Sequence, residues 1–259
     1  MIIADDPPVT LSFVLAVNIK LTVEYDGTDY YGWQFQATGK TVQGVLEKAV
    51  STLVGRPTRI VGSGRTDAGV HAFGQVANFK SDKDLHPYRV QRALNALTPE
   101  DVTVKRVEIV SDSFDARRQG RSRIYEYRIL NRSSPSPFHL RYAWHVHDSL
   151  DIAAMREAIT CLEGEHDFSS FRGAGCDAAH PVRTVYASSI NRTGDLIIFT
   201  VEATAFLRHM VRNLVGTLVE VGRQQRSPQS FAALLDARDR TQAGMKAPAQ
   251  GLFLVEVKY

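Results

Sequence analysis

Strand-like and helix-like stretches follow one another in this chain without regular alternation, and that order constrains the fold more than any other feature. An apolar extended stretch from Ile19 to Tyr25 ends at the turn Asp26-Gly27-Thr28-Asp29. Thr41 caps a predicted helix in which Val42, Val45, Leu46, Ala49, Val50 and Leu53 keep helical spacing until Gly55. Extended segments are expected at Arg59 to Val61 and Gln75 to Phe79, a helix from Pro87 to Leu97, and a strand from Val102 to Val110. The second half repeats this grammar. A strand from Arg123 to Leu130 precedes a helix from Leu150 to Leu162, stopped by Gly164. A hairpin then pairs Val185–Ile190 with Leu196–Ala203 across Asn191-Arg192-Thr193-Gly194-Asp195. A long amphipathic helix from Phe206 to Val221, a short one opened by Ser227-Pro228 and a strand from Leu252 to Val257 complete the pattern. Parallel doubly wound sheets need a helix between successive strands, whereas here strands also follow strands, so the class is α+β with a largely antiparallel sheet.

At 259 residues and 44% hydrophobic composition, the chain can bury a substantial core as one large domain or two smaller ones. Ser133-Ser134-Pro135-Ser136-Pro137 reads as a linker or a surface loop. A formal charge of +3 is only mildly basic, so a polyanionic partner must be met by a local patch. Cys161 and Cys176 are too few for a disulfide framework or a complete zinc site, which points to a reducing compartment and hence the cytoplasm. The apolar run Val9–Asn18 follows Asp5-Asp6-Pro7-Pro8, where a signal sequence would carry a basic region, and it is too short to span a bilayer. Residues 1–18 are therefore read as an extension without chemistry, and no membrane role is expected.

The segment Gly62-Ser63-Gly64-Arg65-Thr66-Asp67-Ala68-Gly69-Val70-His71 concentrates polar groups in one glycine-framed turn. Gly62, Gly64 and Gly69 allow positive φ and close backbone approach, and Ser63, Thr66 and Asp67 can satisfy a sharp turn locally. An aspartate among small residues often does no more than cap backbone N–H groups. Arg65 two residues before Asp67 and His71 four after it favour a catalytic carboxylate instead.

Arg117, Arg118, Arg121, Arg123, Arg128 and Arg132 crowd one segment, either as a phosphate-binding patch or as a solvated, ion-paired face. Arg208 and Arg212, four apart on the predicted long helix, share a stripe that can reach the turn. Tyr125 and Tyr127 share a strand face, one of them at least being core. His145-Val146-His147-Asp148 has no further ligand at zinc spacing, so no metal is expected. No phosphate-binding loop, dinucleotide fingerprint or Gly-x-Ser-x-Gly elbow occurs, and the chemistry is expected to need side chains alone, with no cofactor.

Tyr25-Asp26-Gly27, Tyr31-Gly32-Trp33-Gln34, Thr41-Val42-Gln43 and Gly64-Arg65-Thr66-Asp67-Ala68-Gly69-Val70-His71 together resemble the tRNA pseudouridine synthase A family. Phe114-Asp115-Ala116-Arg117, Arg123-Ile124-Tyr125-Glu126-Tyr127 and Asp167-Phe168-Ser169-Ser170-Phe171-Arg172 continue the resemblance in order. So do Phe206-Leu207-Arg208-His209-Met210-Val211-Arg212-Asn213 and Ala247-Pro248-Ala249-Gln250-Gly251-Leu252, so the likeness spans Ile19 to Tyr259. The resemblance implies two similar α/β halves, residues 19–115 with the catalytic Asp and residues 116–259. They form a largely antiparallel central sheet flanked by helices, with the active-site cleft between them. It further implies a cofactor-free isomerase that converts uridines at tRNA positions 38 to 40 to pseudouridine, working as a homodimer with one tRNA touching both subunits. On this reading Asp67 is the catalytic acid, Arg65 its partner, Tyr125 the aromatic neighbour of the base and Arg212 a second active-site arginine. Arg117, Arg123, Arg208 and His71 are expected to bind substrate beside Tyr125. Ala179 departs from the pattern where relatives often place a lysine.

Isomerisation must break C1′–N1, turn the uracil and rejoin it through C5, which calls for an anionic carboxylate. Attack at C1′ or C6 and removal of the C2′ proton both remain open. Arg65 is expected to keep Asp67 charged and then to leave for a phosphate. The rival readings are a synthase for another RNA and an RNA-binding module without a reaction.

Overall fold

A computed structural model describes residues 16–83 and 85–259. Most of the expected extension lies outside the described residues, and its last two residues already belong to the first strand. The N-terminal half contains β1 (Val17–Tyr25), α1 (Val42–Val54), β2 (Val61–Gly62), β3 (His71–Ser81), α2 (Pro87–Leu97) and β4 (Val102–Val110). There follow β5 (Ser122–Asn131), β6 (Trp144–Val146), α3 (Ile152–Ile159), β7 (Gly164–Asp167), β8 (Val182–Thr193) and β9 (Leu196–Ala203). The chain ends in α4 (Met210–Gly222), α5 (Pro228–Ala237) and β10 (Leu252–Lys258).

One sheet joins these strands in the order β4-β1-β3-β10-β5-β9-β8-β7, with β2 beside β3 and β6 beside β5. Among the described residues only β3/β10 and β5/β6 are parallel pairs. The expected α+β class is therefore what the chain adopts. The N-terminal strands and the C-terminal strands form separate antiparallel blocks, and β10 lies between them, paired with β3 on one side and β5 on the other.

Each block has its own core. Leu21, Val23, Trp33, Leu46 and Val50 are fully or almost fully buried in the first. Phe168, Phe171, Leu214, Leu218 and Phe231 fill the second. Complete burial of side chains of this size stabilises by roughly 1.5–3 kcal/mol each before conformational entropy is subtracted. Tyr125 packs against both cores and so marks the junction.

Local signals explain most boundaries. Thr41 accepts a hydrogen bond from the Gly44 amide at the start of α1, and Gly55 stops it at φ 83°. Asp151 caps α3, which ends at Ile159 and tightens into a 3₁₀ turn over Thr160–Leu162 instead of continuing as α-helix. The Ser133–Pro137 segment lies within the second block, since β6 returns beside β5 and Ser136 is buried. The predicted helix from Phe206 begins only at Met210, because His209 takes φ 62° and breaks the turn before it. Among the described residues no helix is long and apolar enough to cross a membrane.

Candidate active site

The loop between β2 and β3 is pinned from both sides. Trp33 donates its backbone N–H to the Thr66 carbonyl, and the Tyr25 hydroxyl shares a buried 2.8 Å hydrogen bond with Thr66 Oγ1. Ser63 Oγ donates to Gln75 Oε1, and Gln75 Nε2 donates to the Gly64 carbonyl. Asp67-Ala68-Gly69-Val70 closes as a turn through a 3.1 Å bond from the Val70 amide to the Asp67 carbonyl, with Gly69 at φ 77°. Gly62 is needed for another reason: a Cβ there would lie 2.4 Å from Trp33 Nε1. Gly64 shows neither constraint, contrary to its expected role in the turn.

This scaffold leaves the Asp67 side chain 30% exposed at a cleft of about 950 Å³. Its Oδ2 accepts a 3.2 Å hydrogen bond from Arg212 Nη1, supplied by the first turn of α4 in the other half. Arg212 is itself buried and donates Nε to the Ala247 carbonyl at 2.8 Å. His209 Nε2 lies 3.5 Å from the same Oδ2. Burial, together with the Lys246, Arg212 and Arg208 charges, holds His209 below the ordinary imidazole range against the opposing pull of Asp67. Its ring is therefore neutral near pH 7.

Tyr125 faces the cleft from β5, its ring edge-on to Phe206 with centroids 4.9 Å apart. Burial first, then the charge of Asp67, push its phenol well above the usual range, so it stays protonated. Tyr127 is the core member of the pair, fully buried with its hydroxyl donating to the Pro248 carbonyl.

The remaining expected residues divide. Arg117 and Arg208 line the cleft, the latter donating to the Ala174 and Gly175 carbonyls. Arg208 precedes α4 rather than sharing a helical stripe with Arg212. Arg123 also lines the cleft, but its guanidinium clamps the Gly120 and Thr204 carbonyls at 3.0 and 2.8 Å. Arg65 does not hold Asp67: it reaches across the cleft mouth to Asp177 Oδ2 at 3.0 Å. The buried guanidinium already fixed by a carbonyl takes the carboxylate, while the exposed one pairs with the opposite rim. His71 is not at the cleft either. It opens β3 as a buried ring stacked 4.6 Å from Phe253, with Nδ1 3.1 Å from the Gly27 amide, because the turn after Asp67 carries the chain into the sheet.

The arginine-rich segment is also dispersed by strand geometry. Arg128 lies on the face opposite Arg123, paired with Glu126 and over the Phe253 ring at 4.2 Å, and Arg132 pairs with Asp195. A second groove of about 590 Å³ holds Arg56, Arg59 and Lys80, each paired to an acid: Asp82, Glu47 and Asp112. The signal for His209 was present in the sequence only as its place one turn before Arg212.

A mixed sheet in two blocks thus sets the Asp67 carboxylate, held by the buried Arg212, in an arginine-lined cleft beside Tyr125. Residues 21–117 and 158–259 match the family model described as tRNA pseudouridine synthase, and the chain belongs to that family of isomerases. It is 48% identical over 243 residues to tRNA pseudouridine synthase A of Myxococcus xanthus, covering 93% of this chain and 92% of that protein. The proteins of the same name from Sinorhizobium medicae and Thermoanaerobacter sp. strain X514 are 46% and 42% identical, over 93% of this chain and 99% of each relative.

Proposed function

We propose that this chain isomerises uridine to pseudouridine at positions 38 to 40 of the tRNA anticodon arm, with Asp67 as the catalytic group. The observation that carries the reading is the placement of Asp67, at the mouth of a two-sided cleft with Oδ2 held by Arg212 and Tyr125 alongside. Family membership and the names of the relatives support the substrate.

A uridine stacked in the anticodon arm is out of reach of a carboxylate in a cleft, so the nucleotide must be extruded at a cost of a few kcal/mol. Stacking on Tyr125 returns part of that cost, about 1–3 kcal/mol. Arg212 donates to Asp67 Oδ2, and the carboxylate either attacks C1′ or C6 or removes the C2′ proton. The C1′–N1 bond breaks, the uracil turns, C5 bonds to C1′ and loses its proton, and N1 gains one. The sum is redox-neutral and transfers no group to or from another molecule, so it calls for no oxidant, reductant or group donor.

Arg117, Arg208, Arg65 and Lys246 line the cleft and meet the phosphate backbone, Arg65 giving up Asp177 to do so. The active form is a homodimer in the cytoplasm, with one tRNA in contact with both subunits. Sedimentation of the free protein and of its tRNA complex tests the stoichiometry.

The decisive assay is release of tritium from tRNA carrying 5-tritiated uridine, because C5 loses its hydrogen only on glycosylation. Wild-type release, lost when uridines 38 to 40 are replaced and lost in Asp67→Asn by about 10⁴-fold or more with tRNA binding retained, supports the reading. Release from a different RNA alone identifies another target. Tight tRNA binding with no release, unchanged by Asp67→Asn, identifies a binding module.

A further inference from the structure

We propose that His209 is a positioning residue for Asp67: with Arg212 it holds Oδ2, and it leaves Oδ1 as the oxygen that meets the nucleotide. This rests on the reading of Asp67 as the reacting group. Both polar contacts on the carboxylate converge on one oxygen, from Arg212 Nη1 at 3.2 Å and His209 Nε2 at 3.5 Å. Among the described residues no side chain or backbone N–H donates to Oδ1. The two oxygens are chemically distinct before any substrate arrives.

The chain accepts an unfavourable backbone to place this ring. His209 has φ 62° and ψ 3°, the left-handed region that non-glycine residues rarely adopt and that recurs at functional sites. Gly173 packs against its other side: a Cβ at that position would lie 2.5 Å from His209 Nδ1, and the Gly173 amide donates to the Arg208 carbonyl at 2.8 Å. The imidazole is thus trapped with Nε2 toward Asp67.

Charge assigns the two partners different tasks. The groups facing His209 are Asp67, Arg208, Arg212 and Lys246, and the cations together with burial keep the ring neutral. Arg212 then supplies the positive charge, while a neutral Nε2–H orients the carboxylate without adding a second full charge that would quench its reactivity. At 3.5 Å the contact is longer than a hydrogen bond, and on this proposal it shortens to one when the cleft fills, as catalytic contacts often do on binding substrate.

The test uses the full chain, tRNA transcripts carrying 5-tritiated uridine, and three variants. His209→Gly removes the imidazole at a φ that glycine adopts freely, so the melting temperature is expected to equal or exceed that of wild type. Its kcat is expected to fall about 10- to 100-fold, as when a reacting group is misplaced by up to ~1 Å, while KM for tRNA hardly moves. His209→Asn, whose amide tolerates the same backbone and can donate, is expected to restore part of kcat. Wild-type kcat in His209→Gly, or a loss confined to KM or melting temperature, would overturn the proposal. Asp67→Asn run alongside separates the two claims. If it stays active, the underlying reading of Asp67 fails and the role of His209 with it; if it is dead while His209→Gly runs at full rate, only the role of His209 fails.

Discussion

Arg212 and Asp67 are separated by 145 residues in the chain and by 3.2 Å in the structure. One comes from a loop of the first block and the other from a helix of the second, so the ion pair exists only when both halves are folded and seated. Arg212→Lys keeps the charge but loses the fork that reaches Asp67 and the Ala247 carbonyl together. Its kcat is expected to fall at least tenfold, or about 1.4 kcal/mol of barrier, with a smaller effect on tRNA binding. Steady-state tritium release against a filter-binding titration checks the split.

Arg65 is held differently. Its pair with Asp177 is exposed on both sides, and such pairs contribute only about 0–1 kcal/mol. The guanidinium is thus free to exchange a carboxylate for a phosphate. Arg65→Ala is expected to weaken tRNA binding and to reduce the slope of log K against log salt by about one, with the melting temperature unchanged. An unaltered salt slope would place Arg65 away from the RNA backbone.

For Tyr125 the ring and the hydroxyl make separable contributions. Tyr125→Phe keeps the edge-on packing against Phe206 and the face available to a base. Tyr125→Ala removes both, and is expected to cost about 1–3 kcal/mol of transition-state binding, less than the loss at Asp67. If Tyr125→Phe is as impaired as Tyr125→Ala, the hydroxyl rather than the ring is what the reaction uses. Single-turnover rates of the two variants distinguish these outcomes.

His71 predicts a pH dependence of stability. Burial, opposed by Asp26, holds its pKa below the ordinary 6.5. Between the lowered folded value and 6.5 the unfolded chain binds more protons, so stability rises with pH in that window. The contribution is complete above about 6.5 and is lost as pH falls beneath it, at no more than ~1.4 kcal/mol per pH unit. His209, also lowered, adds in the same sense. His71→Gln is expected to flatten the acid side of the stability curve measured by urea unfolding. An unchanged slope would assign it to other groups.

What was legible in the sequence was what local chemistry determines. Thr41 and Gly55 bracket α1 because capping acts within one turn, and the Asp67 turn was legible because its glycine and small polar residues are contiguous. Sequence proximity favours Arg65 as the partner of Asp67, whereas the ion pair is selected by burial across the cleft and falls to Arg212. The start of α4 at Met210 is hidden for a similar reason. The left-handed turn at His209 packs against the bare backbone of Gly173, which no helical periodicity records. β6 and β7 contain three and four residues, too short for alternation to show. In β5 the alternation puts Arg123 and Arg128 on opposite faces, which the crowding of arginines along the sequence conceals.

The position of β10 bears on how the molecule comes into being. Among the described strands the one that knits β3 to β5 is the last in chain order, so during synthesis the first block is made and must wait with the β3 edge open at His71 and Ala72, β2 covering only Ala77 and Asn78. Open edges invite pairing with other chains, and contacts between segments so distant in sequence form slowly. The half that carries the aspartate and the half that carries the arginine are joined through the sheet only when the ribosome has delivered the final strand. A nascent chain therefore has the Asp67 loop well before it has the Asp67–Arg212 pair.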